Sequence, residues 1–229
     1  MNEKEFQNVI EQLQKLQGSD DSGHGLDHVF RVLKMAEDFC DEIAGADREE
    51  VRMIALLHDA DDYKLTGRRD GSLENAERIL ETTSLSPESR KRILQGIAAI
   101  GYSKRLSGIV PASLEASIVS DADMCDASGI TGILRAYQYS LKFSRPFFDP
   151  DIKPMEKIDL AFYTSDQTTT VNHLFEKILR LKELMLTGPG KREAIRRHEA
   201  VYRFLENYFE EQRADYWQQY LQNYRQINE

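Results

Sequence analysis

The stretch that decides the fold is Met53-Ile54-Ala55-Leu56-Leu57-His58-Asp59, in which five apolar residues run directly into a histidine and an aspartate. Together with Val51, the apolar residues follow a helical period, which predicts a buried helix. The two polar residues stand at the end of that helix. We therefore expect His58 and Asp59 to project from its end, where the protein interior meets a polar cavity.

Helical spacing of apolar residues extends on both sides of this run. Segments rich in Gly, Ser, Asp and Pro separate the stripes, and Ser86 before Pro87 has the pattern of an N-cap followed by a first-turn proline. No short hairpin signal separates alternating strands. The sequence predicts an all-α fold, a single bundle of about eight to ten helices. The stripes are Phe6 to Leu16, Val29 to Ile43, Val51 to His58, Leu73 to Leu80, Ile93 to Ile100 and Val171 to Met185.

Composition excludes several classes of protein. The chain has 229 residues, 41% of them hydrophobic, which is enough for a core and argues against disorder. Its net charge of −9 argues against sequence-independent binding to nucleic acid or to anionic lipid. No segment approaches the roughly 20 apolar residues of a membrane span. Two distant cysteines, Cys40 and Cys125, and a first segment without a signal-peptide pattern favour a reducing cytoplasm.

Two further stretches carry polar groups that can bind a cation. His28 stands in Gly23-His24-Gly25-Leu26-Asp27-His28, a glycine-rich entry to a helix, and we expect it in the first turn with Asp27 or a neighbour as the cap. Asp121, Asp123 and Asp126 interrupt an apolar helix pattern. Buried carboxylates are costly unless they are paired or bound to a cation. A divalent metal held by imidazole and carboxylate removes that cost. Alternatively, these residues are caps, ion-pair partners and a packed histidine.

The combination resembles the HD-domain superfamily of metal-dependent phosphohydrolases, whose ligand pattern is H…HD…D. The segments that carry the likeness are Gly23 to Val32, Ala55 to Lys64, Asp121 to Ile130 and His173 to Thr187, and they are similar to the bacterial nucleotide pyrophosphohydrolase subfamily. That subfamily usually has Arg-Leu where this chain has Met124-Cys125. The resemblance spans residues 20 to 210 and implies one HD domain over residues 1–229.

The resemblance implies His28, His58, Asp59 and Asp123 as the metal ligands. Asp123 is chosen because the family's ligand is the aspartate of an Ala-Asp pair, and Asp121 is the fallback. Many two-metal HD enzymes need further histidines between the HD pair and the last aspartate, and residues 60–122 contain none. We therefore expect a single divalent ion, with manganese as the first choice and iron, nickel, cobalt, magnesium or zinc as alternatives.

Asp62 is the predicted general acid/base. On a continuing helix it lies four residues after His58 and three after Asp59, on the same face as both. Superfamily members often carry an acidic residue here that assists water or the leaving group. The alternative is a solvated acid in a turn.

Predicted substrate-binding residues are basic groups that meet the charge of phosphates. His173 and Lys177 are four residues apart and share a helix face if the helix continues. His198 is expected at the surface. The complete predicted set is His24, Lys64, Lys104, Arg135, His173 and Lys177.

The expected activity is hydrolysis of a phosphate ester or anhydride, with a nucleotide as the small-molecule substrate. We expect neither nucleic acid nor membrane as a partner, and the oligomeric state stays open. The competing hypothesis is a catalytically weak HD-fold module that senses nucleotide or metal. A third, a helical interaction protein, predicts no bound metal.

Overall fold

A computed structural model of the chain describes residues 1–17, 25–68, 70–155 and 168–228, with only the backbone of Lys64 and Asn228. Within these ranges all regular elements are helices and none is a strand, which confirms the all-α prediction. No helix in the described part combines the length and the apolar character that crossing a membrane requires. The elements are α1 (Glu3–Gln17), α2 (Leu26–Asp41), α3 (Arg48–Leu57), α4 (Tyr63–Thr66), α5 (Glu74–Glu81), α6 (Pro87–Ala98), α7 (Tyr102–Leu106), α8 (Leu114–Asp126), α9 (Gly129–Lys142), α10 (Thr170–Glu176), the 3-10 helix η1 (Ile178–Leu184), α11 (Gly188–Glu211) and α12 (Asp215–Asn228).

The first of two compact units comprises residues 1–126 and Leu186–Gly190. Helices α2, α3 and α8 pack most extensively on one another, and α6 packs on α3 and α8. Helix α8 is buried on nearly all sides, although six of its 13 residues are polar or charged. Ser120, Asp121 and Asp126 are among its buried residues, so carboxylates lie inside the unit.

The starts of the helices follow local signals. Asp47 caps α3 by accepting hydrogen bonds from the amides of Glu49 and Glu50. Ser86 accepts a 3.1 Å hydrogen bond from the amide of Ser89, and Pro87 follows it, as predicted. Asp27 does not cap α2: the N-cap is Gly25, with no side-chain bond, and Asp27 lies in the first turn, where a carboxylate suits the helix dipole.

The predicted end of α3 at His58 and Asp59 is confirmed, whereas the placement of Asp62 on a continuing helix is wrong. Helix α3 ends at Leu57, and residues 58–61 form a turn in which the amide of Asp62 donates to the carbonyl of Asp59 at 3.2 Å. The turn brings the buried Asp61 carboxylate to the start of α5, where it accepts hydrogen bonds from the amides of Asn75 and Ala76, both at 2.9 Å. Asp62 therefore precedes α4 and is not on one helix face with His58.

The second unit comprises residues 127–185 and 191–229. Its core is rich in aromatic rings, including Phe175, Tyr202, Phe209 and Trp217, with Phe148 packed against them. The Phe148 and Trp217 ring centroids are 5.2 Å apart and nearly perpendicular, an arrangement that aromatic quadrupoles favour. The aromatic C-terminal segment thus forms a core. One HD domain over the whole chain stays a prediction.

Two expectations for this unit are wrong. The stripe from Val171 to Met185 is not one α-helix: α10 ends at Glu176 and η1 follows. Ile178, Leu181 and Leu184 are spaced by three, which suits the three residues per turn of a 3-10 helix. His198 is not at the surface: it is buried on the inward face of α11, with its ring 4.8 Å from that of Tyr202.

Candidate metal centre

Three helices of the first unit bring four predicted ligands together. His28 lies in the first turn of α2, His58 is the C-cap of α3 with Asp59 directly after it, and Asp123 lies on α8. Donor atoms of His28, His58 and Asp59 lie within 4.8 Å of one another. The Oδ1 atom of Asp123 is 3.4 Å from His28 Nε2 and 3.9 Å from His58 Nε2.

The hydrogen bonds of the two imidazoles direct both Nε2 atoms into this cluster. His28 Nδ1 donates to the Asp126 carboxylate at 2.7 Å, and His58 Nδ1 donates to the Ala55 carbonyl at 2.8 Å. Because these partners only accept, each neutral ring has its proton on Nδ1 and a lone pair on Nε2. The two Nε2 atoms are 3.3 Å apart, so the lone pairs repel each other unless a cation or a proton lies between them.

The separations among His28, His58 and Asp59 fit ligands of one ion. Donors bound at about 2.1 Å to a common metal are about 3.0 Å apart at right angles and about 3.4 Å apart in a tetrahedron. Here His28 Nε2 is 3.5 Å and His58 Nε2 is 3.6 Å from Asp59 Oδ2. The donor set of two imidazoles and two carboxylates suits a divalent transition metal.

Burial divides the cluster into a closed and an open side. The side chains of His28 and His58 are 2% and 1% exposed, whereas those of Asp59 and Asp123 are 15% and 19% exposed. Burial raises the pKa of Asp123, but the hydrogen-bonding contact with His28 and the electrostatic interactions with the two imidazoles lower it below its ordinary value. Asp123 is therefore ionised and able to bind a cation, and the carboxylate side can admit solvent and substrate.

Asp121, the fallback ligand, points elsewhere. It lies two residues before Asp123, about 200° around the helix. Its carboxylate accepts hydrogen bonds from the amide and the hydroxyl of Thr187, both at 2.7 Å, and from the amide of Leu186 at 2.9 Å. Burial raises the pKa of Asp121. Asp121 thus holds the segment Leu186–Gly190 on α8.

Two residues beside the cluster, Asp126 and Arg31, are not among the predicted site residues, although Asp126 belongs to the acidic group noted in the sequence of α8. Asp126 is 1% exposed and binds Arg31 as well as His28. Arg31 Nε donates to Asp126 Oδ1 at 2.7 Å, and Arg31 Nη2 donates to Oδ2 at 3.1 Å. Each follows a predicted ligand by three residues, Arg31 after His28 and Asp126 after Asp123. That spacing places side chains on one helix face, and it is the sequence signal from which both residues could have been identified.

The other predicted residues are distributed as follows. Asp62 is joined to Asp59 by the turn hydrogen bond described above, and its catalytic role stays a prediction. Lys104 is half-buried on α7 of the first unit, and Lys64 lies on α4, with its side chain outside the described atoms. His24 lies outside the described residues. Arg135 (α9), His173 (α10) and Lys177 (directly after α10) belong to the second unit.

His173 lies in a basic environment within the second unit. Burial and the positive charges of Lys177 and Arg145 lower the pKa of His173 to about 3. Arg145 is a basic residue that sequence reasoning missed, because nothing in the pattern relates it to α10. A neutral imidazole beside two cations is a suitable environment for an anion.

Comparisons with known proteins agree with this geometry. Residues 25–128, which include all four predicted ligands, match the family described as HD domain. The chain is 31% identical to a crystal structure of an HD-superfamily hydrolase from Bacillus thuringiensis, with a TM-score of 0.72 over 93% of this chain and 98% of that one. A crystal structure from Lactobacillus plantarum is 28% identical, with a TM-score of 0.78 over 93% and 99% of the two chains.

A third relative is the protein YpgQ of Bacillus subtilis. It is 27% identical over 203 residues, which cover 88% of this chain and 91% of YpgQ. A crystal structure of YpgQ in complex with ADP has the same fold, with a TM-score of 0.67 over 89% and 97% of the two chains. From the matching family, the relatives and the clustered imidazoles and carboxylates, we conclude that the chain belongs to the HD superfamily of metal-dependent phosphohydrolases.

Proposed function

We propose that this chain hydrolyses a phosphoanhydride or phosphate ester of a nucleotide at a single divalent ion held by His28, His58, Asp59 and Asp123. The observation that carries the proposal is the convergence of two Nε2 atoms and two carboxylate oxygens, with His28 Nε2 3.5 Å from Asp59 and 3.4 Å from Asp123. A divalent ion bound there would polarise a phosphate oxygen and lower the pKa of a water molecule. Manganese suits the mixed nitrogen and oxygen donors and is the ion we would test first.

The charges at the centre require basic groups elsewhere. Asp59 and Asp123 balance the charge of a divalent ion, so they leave the phosphates of a nucleotide to be met by other cations. Lys64, Lys104, Arg135, His173 and Lys177 are the proposed groups, with His24 as a further candidate. Within the second unit, the charge of Arg145 also acts on His173.

Asp62 is the proposed general acid/base. The hydrogen bond from its amide to the Asp59 carbonyl, 3.2 Å long, keeps its backbone beside a ligand. A carboxylate there can take a proton from the attacking water or give one to the leaving oxygen. Asp62 would do this from the turn after α3.

The nucleotide part of the proposal draws on YpgQ. That protein is 27% identical to this chain over 203 residues, and one of its crystal structures is in complex with ADP. A nucleoside phosphate is therefore the first substrate class to test. Analysis of the products will show whether pyrophosphate or inorganic phosphate is the leaving group.

The test is a panel of nucleoside mono-, di- and triphosphates, ribo- and deoxyribo-, incubated with the purified chain and Mn²⁺ and analysed for both phosphate and pyrophosphate. We expect at least one nucleotide to be cleaved and chelation to abolish the reaction. Equal rates with and without chelator would show that the metal-dependent proposal is wrong.

Asp62→Asn separates catalysis from sensing. We expect it to lower kcat by about 10²- to 10⁴-fold, the usual contribution of a general acid or base, and to leave the Mn²⁺ affinity unchanged. Asp38→Asn on the exposed face of α2 is the matched control. Unchanged kcat in Asp62→Asn would remove Asp62 from the chemistry, and tight nucleotide binding without turnover in the wild type would favour the sensor.

A further inference from the structure

We propose that Asp126 is a positioning residue that fixes the proton of His28 on Nδ1 and so presents the Nε2 lone pair to the metal, while Arg31 holds Asp126 in place. The inference rests on the proposed metal centre but concerns residues that bind no metal themselves. It assigns a chain of three side chains, in which Arg31 binds Asp126, Asp126 binds His28, and His28 faces the ion.

The geometry supports each link of this chain. Asp126 Oδ2 accepts from His28 Nδ1 at 2.7 Å, which is short for a nitrogen donor and typical of charge-assisted hydrogen bonds. The remaining carboxylate oxygen accepts from Arg31 Nε at 2.7 Å, so both oxygens of Asp126 are bound. Asp126 is 1% exposed and cannot turn away without leaving a charge buried.

The second link explains why a buried carboxylate is tolerated here. Burial of an ionised carboxylate is costly unless it is paired and hydrogen-bonded. Hydrogen bonding to Asp126 raises the pKa of Arg31, so the guanidinium remains a permanent countercharge. Because Arg31 neutralises Asp126, the carboxylate can orient His28 without adding net charge next to the metal ligands.

A purely structural ion pair is the alternative explanation, and the first unit offers a matched example. Glu50 is a buried carboxylate that accepts a 2.9 Å hydrogen bond from Arg92 Nε, and its side chain is 6% exposed. It thus resembles Asp126 in burial and in pairing with a half-exposed arginine. Among the described residues Glu50 accepts side-chain hydrogen bonds from Arg92 and not from an imidazole, and this difference makes Glu50→Ala the control for Asp126→Ala.

The first measurement reads the position of the proton directly. ¹⁵N NMR of the imidazoles in the metal-free protein at pH 8, where histidine is ordinarily neutral, distinguishes Nδ1–H from Nε2–H. We expect His28 to be the Nδ1–H tautomer in the wild type and in Glu50→Ala, and to shift toward Nε2–H in Asp126→Ala. An unchanged tautomer in folded Asp126→Ala would overturn the proposal.

The second measurement is the Mn²⁺ dissociation constant, obtained by competition with a metal indicator. Loss of a group that orients a ligating histidine typically weakens metal binding 10- to 100-fold, and we expect this range for Asp126→Ala. Arg31→Gln should weaken binding less, because the Asp126 to His28 bond remains. Equal weakening in Glu50→Ala would assign the effect to general destabilisation and contradict the proposal.

The two readouts separate this inference from the proposed function. If the wild type binds no Mn²⁺, the proposed function fails, while the tautomer of His28 in wild type and Asp126→Ala still tests the role of Asp126. If Asp126→Ala does not fold, Asp126→Asn provides the comparison with a smaller change. Asp126→Asn keeps an oxygen that can accept from Nδ1, so it should retain more of the wild-type tautomer than Asp126→Ala.

Discussion

At the scale of single residues, the orientation of the two ligand imidazoles is set by the groups that accept hydrogen bonds from their Nδ1 atoms. His28 and His58 each use Nδ1 to donate to an acceptor, Asp126 in one case and the Ala55 carbonyl in the other. The two rings are nearly perpendicular, with centroids 5.2 Å apart. Their Nε2 atoms consequently face one small volume, which the carboxylates of Asp59 and Asp123 border.

The identity of these ligands could be predicted from the sequence, but the residues that hold the ligands in position could not. A histidine in a helix's first turn and a His-Asp pair after an apolar run are local patterns, so His28 and His58 are recognisable. The partnership of Asp126 with His28 joins residues 98 positions apart, and no local pattern encodes such a distance. The burial of His198 was missed because its neighbours in sequence, Arg196 and Arg197, are charged.

The charge state of His173 leads to a pH prediction. The folded pKa is about 3 against an ordinary 6.5, so the unfolded chain takes up a proton as the pH falls through 6.5, while the folded chain does not. Stability should therefore be independent of this group above pH 6.5 and decrease below it, by at most about 1.4 kcal/mol per pH unit for one proton.

Urea unfolding at several pH values tests this. We expect His173→Gln to reduce the loss of unfolding free energy between pH 7 and pH 5 relative to the wild type. At pH 7.5, where this group does not affect stability, the difference in unfolding free energy between the two proteins measures the change in packing and serves as the control. An identical pH dependence in both would contradict the assigned pKa.

At the scale of elements, helix α8 connects the centre to a later part of the chain. Asp123 lies on this helix, and so does Asp121, which binds the amides of Leu186 and Thr187. Gly190 packs so closely there that an added Cβ would lie 2.2 Å from Asp121 Oδ2. The Asp121 carboxylate is fixed by its hydrogen bonds and cannot easily move aside.

Gly190→Ala should therefore destabilise the protein. We expect a loss of about 1–3 kcal/mol in the free energy of unfolding, the usual cost of overpacking. In an Asp121→Ala background the same substitution should cost less, because the carboxylate is absent and only the contact with the Cβ of residue 121, at 2.7 Å, remains. Denaturant unfolding of the four proteins in this double-mutant cycle gives the coupling energy, and equal costs in both backgrounds would refute the contact.

The helix boundaries show where local signals suffice. Ser86 with Pro87 fixes the start of α6 by chemistry within four residues, so the sequence predicts it. The end of α3 at His58 and Asp59 also follows a local pattern. The path of the chain beyond it involves a tertiary contact, in which the Asp61 carboxylate accepts hydrogen bonds from the amides of Asn75 and Ala76, so the position of Asp62 after a turn could not be predicted.

At the scale of the whole molecule, the fold class and the family could be read from periodicity and from the H…HD…D pattern. The return of Leu186–Gly190 to the first unit could not, because it depends on a buried aspartate meeting backbone amides 65 positions away. The substrate-binding roles of Lys64, Lys104, Arg135, His173 and Lys177 stay predictions.

The central claim is that four side chains, from α2, α8 and the turn that follows α3, share one divalent ion. Anomalous scattering from a crystal grown with excess Mn²⁺ measures this most directly. We expect one manganese peak with His28 Nε2, His58 Nε2 and oxygens of Asp59 and Asp123 within about 2.0–2.6 Å of it. A peak bound by other residues, or these four atoms without a shared peak at saturating Mn²⁺, would contradict the account.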